Sequence, residues 1–312
     1  MVHKNIVFME FNKMKKLSLP IISTTAISLT VVALVLRIIS LFAFYDALGY
    51  YQTGAVVPII TNIITAVSIV MFFIAAILCV KSDEKINAPQ KEARYAAILP
   101  LGTLVFFVSQ SIIELTKNTT ESSTQSNLIP IITIIGALAG IVFFFLIFFT
   151  DKQKIATVYC GLGALIFVFF SWMSAYFDFS SPINSTQRIL FYVACTGAML
   201  FIFNEMCAIY GSVKPKFYYF SLFVSILTLA SSAIPALIGF AANKFSVYFT
   251  LKEDIFFTAL FIYAIVRLVT LCIASKKTPQ ISEEINETTD AEETSDAVKE
   301  ENFEEKTEEI SE

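Results

Sequence analysis

Histidine is all but missing from this chain: the single copy is His3, ahead of every apolar run. No histidine is therefore placed for metal binding or catalysis within a membrane. The five cysteines, Cys79, Cys160, Cys195, Cys207 and Cys272, all lie in long apolar stretches. None forms a Cys-x-x-Cys or Cys/His spacing, so neither a zinc site nor a disulfide framework is indicated. Charge is scarce too, at 15% of residues, where a soluble domain carries roughly 25%. Catalytic signatures are missing: there is no Gly-x-Ser-x-Gly elbow, P-loop or dinucleotide fingerprint. Gly161-Leu-Gly163 is followed by Ala164, not by the aspartate an intramembrane aspartyl protease needs. These absences argue against an enzyme and imply no cofactor and no metal.

What is present is apolar. Hydrophobic residues make up 56% of the 312, and there are 31 Phe. A bilayer core about 30 Å thick is crossed by about 20 apolar helical residues. Eight segments meet that length: 19–45, 55–80, 95–116, 128–149, 155–177, 189–211, 217–240 and 255–275. Lipid cannot satisfy backbone polar groups, so these segments are helices. The fold class is an all-α polytopic transmembrane bundle of about eight spans, with the lipid bilayer as its first partner. The fifth and seventh segments carry the weakest signal, because Trp172, Ser174 and several serines interrupt them. The first segment follows a basic stretch, as in a signal peptide. At about 27 residues it is too long for a cleaved apolar region and reads as a retained span.

The charges that remain are sorted. Residues 282–312 hold 14 acidic and two basic groups, a net charge of −12, which leaves +8 for the rest. Fourteen Lys/Arg lie in alternate connections and ends: residues 1–18, 81–94, 152–154, 214–216 and 276–277. The opposite connections hold four: Lys117, Arg188, Lys244 and Lys252. Cytoplasmic loops carry the excess of Lys and Arg. Both termini are thus expected in the cytoplasm, and an odd number of spans would scramble the alternation. These basic residues are accounted for by topology, so no nucleic-acid partner is implied. Residues 1–18 read as a basic cytoplasmic segment. Residues 276–312 read as a disordered acidic cytoplasmic tail, too polar to offset the entropy of ordering.

The two halves, 19–149 and 150–275, share a pattern. Phe44-Tyr45-Asp46 ends the first segment and Tyr176-Phe177-Asp178 ends the fifth, each followed by an outer loop with a proline, Pro58 or Pro182. Two readings stand. Either the chain is two parallel four-helix repeats related by an axis along the membrane normal, or the aromatic residues are ordinary interfacial belts. The stretch from Tyr176 to Ser185, Tyr-Phe-Asp-Phe-Ser-Ser-Pro-Ile-Asn-Ser, resembles a segment of uncharacterised multi-span proteins of Gram-positive anaerobic bacteria. That resemblance implies a bacterial inner-membrane setting and no activity. In such a setting the sequons at Asn118 and Asn184 read as chance.

Ionisable residues inside a span are costly and face a partner or water. Four need explaining: Arg37, Glu114, Glu205 and Arg267. Their depths along the helices allow two pairs, Arg37 with Glu114 towards the outside and Glu205 with Arg267 towards the inside. Weaker polar groups accompany them. Thr103, Gln110 and Glu114 share one helix face. Ser221, Ser225, Thr228 and Ser232 share another. Asn62, Thr65 and Asn204 sit in other spans, and Tyr263 aligns with Arg267. One reading is a polar path for a small solute, which makes the protein a transporter or permeation protein. The other is interhelical hydrogen bonding, worth about 0.6 kcal/mol per bond, in a non-catalytic accessory protein whose acidic tail docks a cytoplasmic partner. Gly136 and Gly140 form a small-xxx-small motif, serving either packing within the chain or a homo-oligomer.

Overall fold

The computed structural model describes residues 19–46, 50–52, 54–80, 86, 88–120, 128–149, 154–178, 185–244 and 251–275. The basic segment 1–18 and the acidic tail 276–312 lie outside the described residues, as do the expectations placed on them. Eight helices are long and apolar enough to cross a membrane. They are α1 (Leu19–Phe44), α2 (Val56–Cys79), α3 (in two segments, Lys91–Ala96 and Ile98–Thr120), α4 (Leu128–Phe149), α5 (Lys154–Phe177), α6 (Thr186–Tyr210), α7 (Pro215–Ala241) and α8 (Leu251–Ser275). The chain is an integral membrane protein of the all-α class, and its spans match the eight apolar segments.

Local chemistry sets the helix ends. At α6 the Ser185 side chain accepts from the Arg188 backbone N–H, an N-cap that satisfies one orphan donor. At its other end Gly211 adopts φ +88°. There Ser212 N–H and Gly211 N–H both donate to the Cys207 carbonyl at 3.0 Å. This left-handed glycine closes the helix, and Pro215 opens α7 at a position where its missing N–H costs nothing. The resulting turn is short, so the last turns of α6 lie beside the first turns of α7.

Contacts cross between the two four-helix halves read from the sequence. α1 and α2 pack on each other and on α7, whereas α4 packs chiefly on α3 and α5. The boundary expected at residue 150 therefore falls across a tight contact, because small residues face each other there. A Cβ placed on Gly136 would lie 2.7 Å from the Phe167 backbone nitrogen of α5, and one on Gly140 would lie 3.0 Å from Leu104 of α3. The Gly136–Gly140 face is occupied within the chain. Dispersion between close-packed helices, rather than a hydrophobic drive, holds such contacts in lipid.

α7 is the most enclosed span, with 83% of its central window buried, against 28% for α1 and 22% for α2. α8 lies against an aromatic cluster. Phe256 sits 5.2 Å from Phe167 and 6.4 Å from Phe144, and Tyr263 is 5.6 Å from Phe201. α1 to α7 and α8 as far as Thr270 form one compact unit. A second unit begins at Leu271; its described residues are the end of α8, where the Ser275 hydroxyl donates to the Cys272 carbonyl. Eight successive crossings put the ends of the odd-numbered helices and the starts of the even-numbered ones at one face. That face carries Asp178, and the opposite one carries Lys214.

Candidate functional site

Two buried polar centres lie at different depths. The first is near the Lys214 face and is built on α6, α7 and α8. Glu205, 1% exposed, receives three donors. The Tyr218 hydroxyl donates to Oε2 at 2.6 Å, the Tyr263 hydroxyl to Oε1 at 2.7 Å, and Arg267 Nε to Oε1 at 2.9 Å. Arg267 Nε also donates to the Tyr218 hydroxyl oxygen at 2.9 Å, and the guanidinium lies 5.7 Å from the Tyr218 ring centroid. Both charges are compensated, which is the condition for burying an ion pair at tolerable cost. The tight Gly211–Pro215 turn brings Tyr218 to Glu205, thirteen residues earlier. The Glu205–Arg267 pair read from helix depth is present; the two tyrosines that complete it are additions from the structure.

The second centre lies near the Asp178 face, and here the expected pair is not formed. Arg37, 2% exposed, donates to the Tyr51 hydroxyl and, at 3.0 Å, to Asn62 Oδ1. Glu114 instead meets Lys252 Nζ at 2.5 Å, with its side chain 59% exposed. Lys252 also lies 5.3 Å over the Phe107 ring. The correction has a simple cause. Depth along a helix says nothing about which helix stands beside it, and α1 packs on α2 and α7, not on α3. The turn after α1 folds back through a Tyr45–Tyr51 bridge, with Gln52 N–H donating to the Phe44 carbonyl at 2.7 Å. That reversal delivers Tyr51 to Arg37. Burial pushes the Tyr45 phenol well above its usual range.

Charged residues counted as loop charges or passed over lie inside helices, Arg188 and Asp254 among them. Arg188 is fully buried in the first turn of α6, and its guanidinium donates to the Asp178 carbonyl. Asp254 is 1% exposed in the first turn of α8, one residue after Glu253. A cavity of about 20 Å³ lies between α1, α6, α7 and α8, lined by Arg37, Tyr45, Gln187, Ser232, Pro235 and Asp254 among others. That is room for about one water. Arg37 Nε and Gln187 Nε2 are buried there without a hydrogen-bond partner.

The remaining candidates are dispersed. Ser225 Oγ donates to the Gly197 carbonyl at 2.7 Å, and Thr228 Oγ1 donates within its own helix to Ser225 O. A Cβ on Gly197 would lie 2.1 Å from Thr228 Oγ1, so α6 and α7 are in close contact here. Asn204 Nδ2 donates to the Leu200 carbonyl. Thr103 bonds the Pro100 carbonyl of its own helix and Gln110 is half-buried, so the α3 stripe reaches neither centre. Among the described residues no cluster of His, Cys, Asp and Glu is placed to hold a metal.

Tyr218, Ser221, Ser225, Thr228 and Ser232 recur every three or four residues on α7 and are all buried. Over fourteen residues they span about 21 Å. This polar face starts at the Glu205 centre and ends at Ser232, in the Arg37 cavity. No family model, no curated protein and no solved structure matches the chain.

Proposed function

We propose that the protein carries a small solute across the membrane and that this structure is its closed form. The observation that supports this reading is the α7 polar face, enclosed by protein and joining two buried charge centres. Buried ionisable groups inside spans mark function by default. Hydroxyl residues also serve helix packing, but here the row runs from one buried charge centre to the other. The reading places the Asp178 face outside a bacterial inner membrane and both termini in the cytoplasm, and it assigns no covalent chemistry.

The test needs no knowledge of the solute. Single cysteines are placed at Ser221, Ser225 and Ser232 in a cysteine-free background, in membrane vesicles. A membrane-impermeant thiol reagent labels these positions if the face opens to water. Ala230→Cys, buried elsewhere on α7, stays unlabelled. If all four positions resist reagent from both sides, the polar face is permanent packing and the proposal fails.

One observation favours a second reading. α1 and α2 expose long apolar faces, including Val31, Val35, Ile63 and Val70. A neighbouring membrane protein seated on that hairpin would make this an accessory subunit. Cross-linking from Val35→Cys and Ile63→Cys in native membranes would capture such a neighbour.

A further inference from the structure

The cavity at the Arg37 centre has a chemistry of its own. It holds a buried cation, a buried carboxylate, an amide and a hydroxyl, contributed by four different helices. Two of its donors have no acceptor: Arg37 Nε, and the amide nitrogen of Gln187, a residue only 9% exposed. An unsatisfied buried donor is costly, and a native structure keeps one for a reason. Both lack the same thing, an acceptor such as a carboxylate oxygen. Asp254 argues against a bare anion, because its carboxylate lies in the same small, largely dry space. It suits an ammonium group, and a carboxylate has about four acceptor sites, enough to serve a ligand as well as a protein partner. The other walls are apolar: Leu41, Leu190 and Phe191.

We infer that this cavity is the closed form of a binding site for a small zwitterion of amino-acid type with an apolar side chain. Its carboxylate is held by Arg37 and Gln187, its ammonium by Asp254, and its side chain by the apolar wall. The inference rests on the transport reading and names its substrate class. At about 20 Å³ the cavity is too small for such a ligand as it stands, so a wall must move. Pro235 supplies the place. It lies within α7 and lines the cavity, and it cannot donate to the Ser231 carbonyl, which removes a rung of the helix ladder. Beyond it, Lys244 rests 5.6 Å over the Phe42 ring of α1. Swinging the end of α7 past Pro235 breaks that contact and opens the cavity towards the Asp178 face.

The experiment measures thermal unfolding of the full chain in lipid nanodiscs with three probes. Valine carries both charges, 3-methylbutanoate lacks the ammonium, and 2-methylpropylamine lacks the carboxylate. Valine is expected to raise the melting temperature in a saturable way, and the other two to leave it unchanged. Gln187→Leu removes the unsatisfied amide nitrogen and, measured against its own ligand-free melting temperature, weakens the valine response roughly tenfold, the loss of one charge-assisted bond. Asp254→Asn abolishes the valine response and admits 3-methylbutanoate. If no probe shifts the melting, or all three shift it alike, the site holds only water and the inference is overturned. Counterflow of valine in proteoliposomes separates the two claims. Binding without counterflow overturns transport and leaves the site. Counterflow that survives Gln187→Leu and Asp254→Asn unaltered overturns the site and leaves transport.

Discussion

Replacing Glu205 by glutamine tests the energetics of the inner centre most directly. The carboxylate accepts from Tyr218, Tyr263 and Arg267. Interhelical hydrogen bonds in a membrane average about 0.6 kcal/mol, so three of them account for about 2 kcal/mol. The substitution does more than weaken bonds. It leaves Arg267, with no exposed side-chain surface, as a buried cation without its counter-ion, and removing one partner of a buried pair costs about 3–5 kcal/mol. The stranded cation outweighs the weakened bonds, so the expected loss is about 3–5 kcal/mol. The assay is reversible unfolding in mixed micelles titrated with a denaturing detergent. The internal comparison is Glu114→Gln, whose partner is Lys252 and whose side chain is more than half exposed. Pairs of that kind are worth about 0–1 kcal/mol. A third protein, Glu205→Leu with Arg267→Met, removes both charges at once. It should recover most of the loss, because an apolar replacement of a whole buried pair is often neutral. If Glu205→Gln costs no more than Glu114→Gln, or if the double replacement is worse than the single one, a stranded charge is not what destabilises the centre.

Four further outcomes follow from the packing. Gly136→Ala should destabilise by about 1–3 kcal/mol, the usual cost of overpacking, because its methyl meets the α5 backbone. Gly102→Ala has nothing within 4 Å of the added carbon and should stabilise by up to about 1 kcal/mol through helix propensity; the same detergent titration reads both. Gly197→Ala should be damaging on its own and partly rescued by Thr228→Ala, which removes the hydroxyl in the way, as a double-mutant cycle would record. Arg37→Met should leave stability closer to that of the parent than Glu205→Gln does. The hydrogen-bond partners of Arg37, Tyr51 and Asn62, are neutral groups, so its loss breaks no direct ion pair, although the Asp254 carboxylate that lines the same cavity loses a nearby cation.

Much of the architecture is legible in the chain, because lipid is an unforgiving solvent. Eight runs of apolar residues become eight helices, and Glu205 and Arg267 find each other because few alternatives lie at that depth. The failures have a common origin. Arg37 and Glu114 match in depth but stand on helices that are not neighbours, and lateral position leaves no trace in hydropathy. Arg188 reads as a loop charge and Asp254 goes unread because each lies in the first turn of its helix, just where an apolar window trails off. The seventh segment reads as one of the two weakest because of its serines, yet α7 is the most enclosed span. Hydropathy measures fitness for lipid, and a helix wrapped in protein is released from that demand.

The order in which the partners of Glu205 appear has a consequence for biogenesis. Tyr218 follows thirteen residues after Glu205, but Arg267 follows sixty-two residues after it. At ribosomal rates of about 5–20 residues per second, the carboxylate waits about 3–12 s for its counter-ion. During that interval the Gly211–Pro215 turn allows α6 and α7 to enter the bilayer as one hairpin, with the Tyr218 hydroxyl already on the carboxylate. The last helix then docks onto a prepared acceptor. A nascent chain stalled before Tyr263 would present an acidic group in hydrocarbon with only one of its three partners.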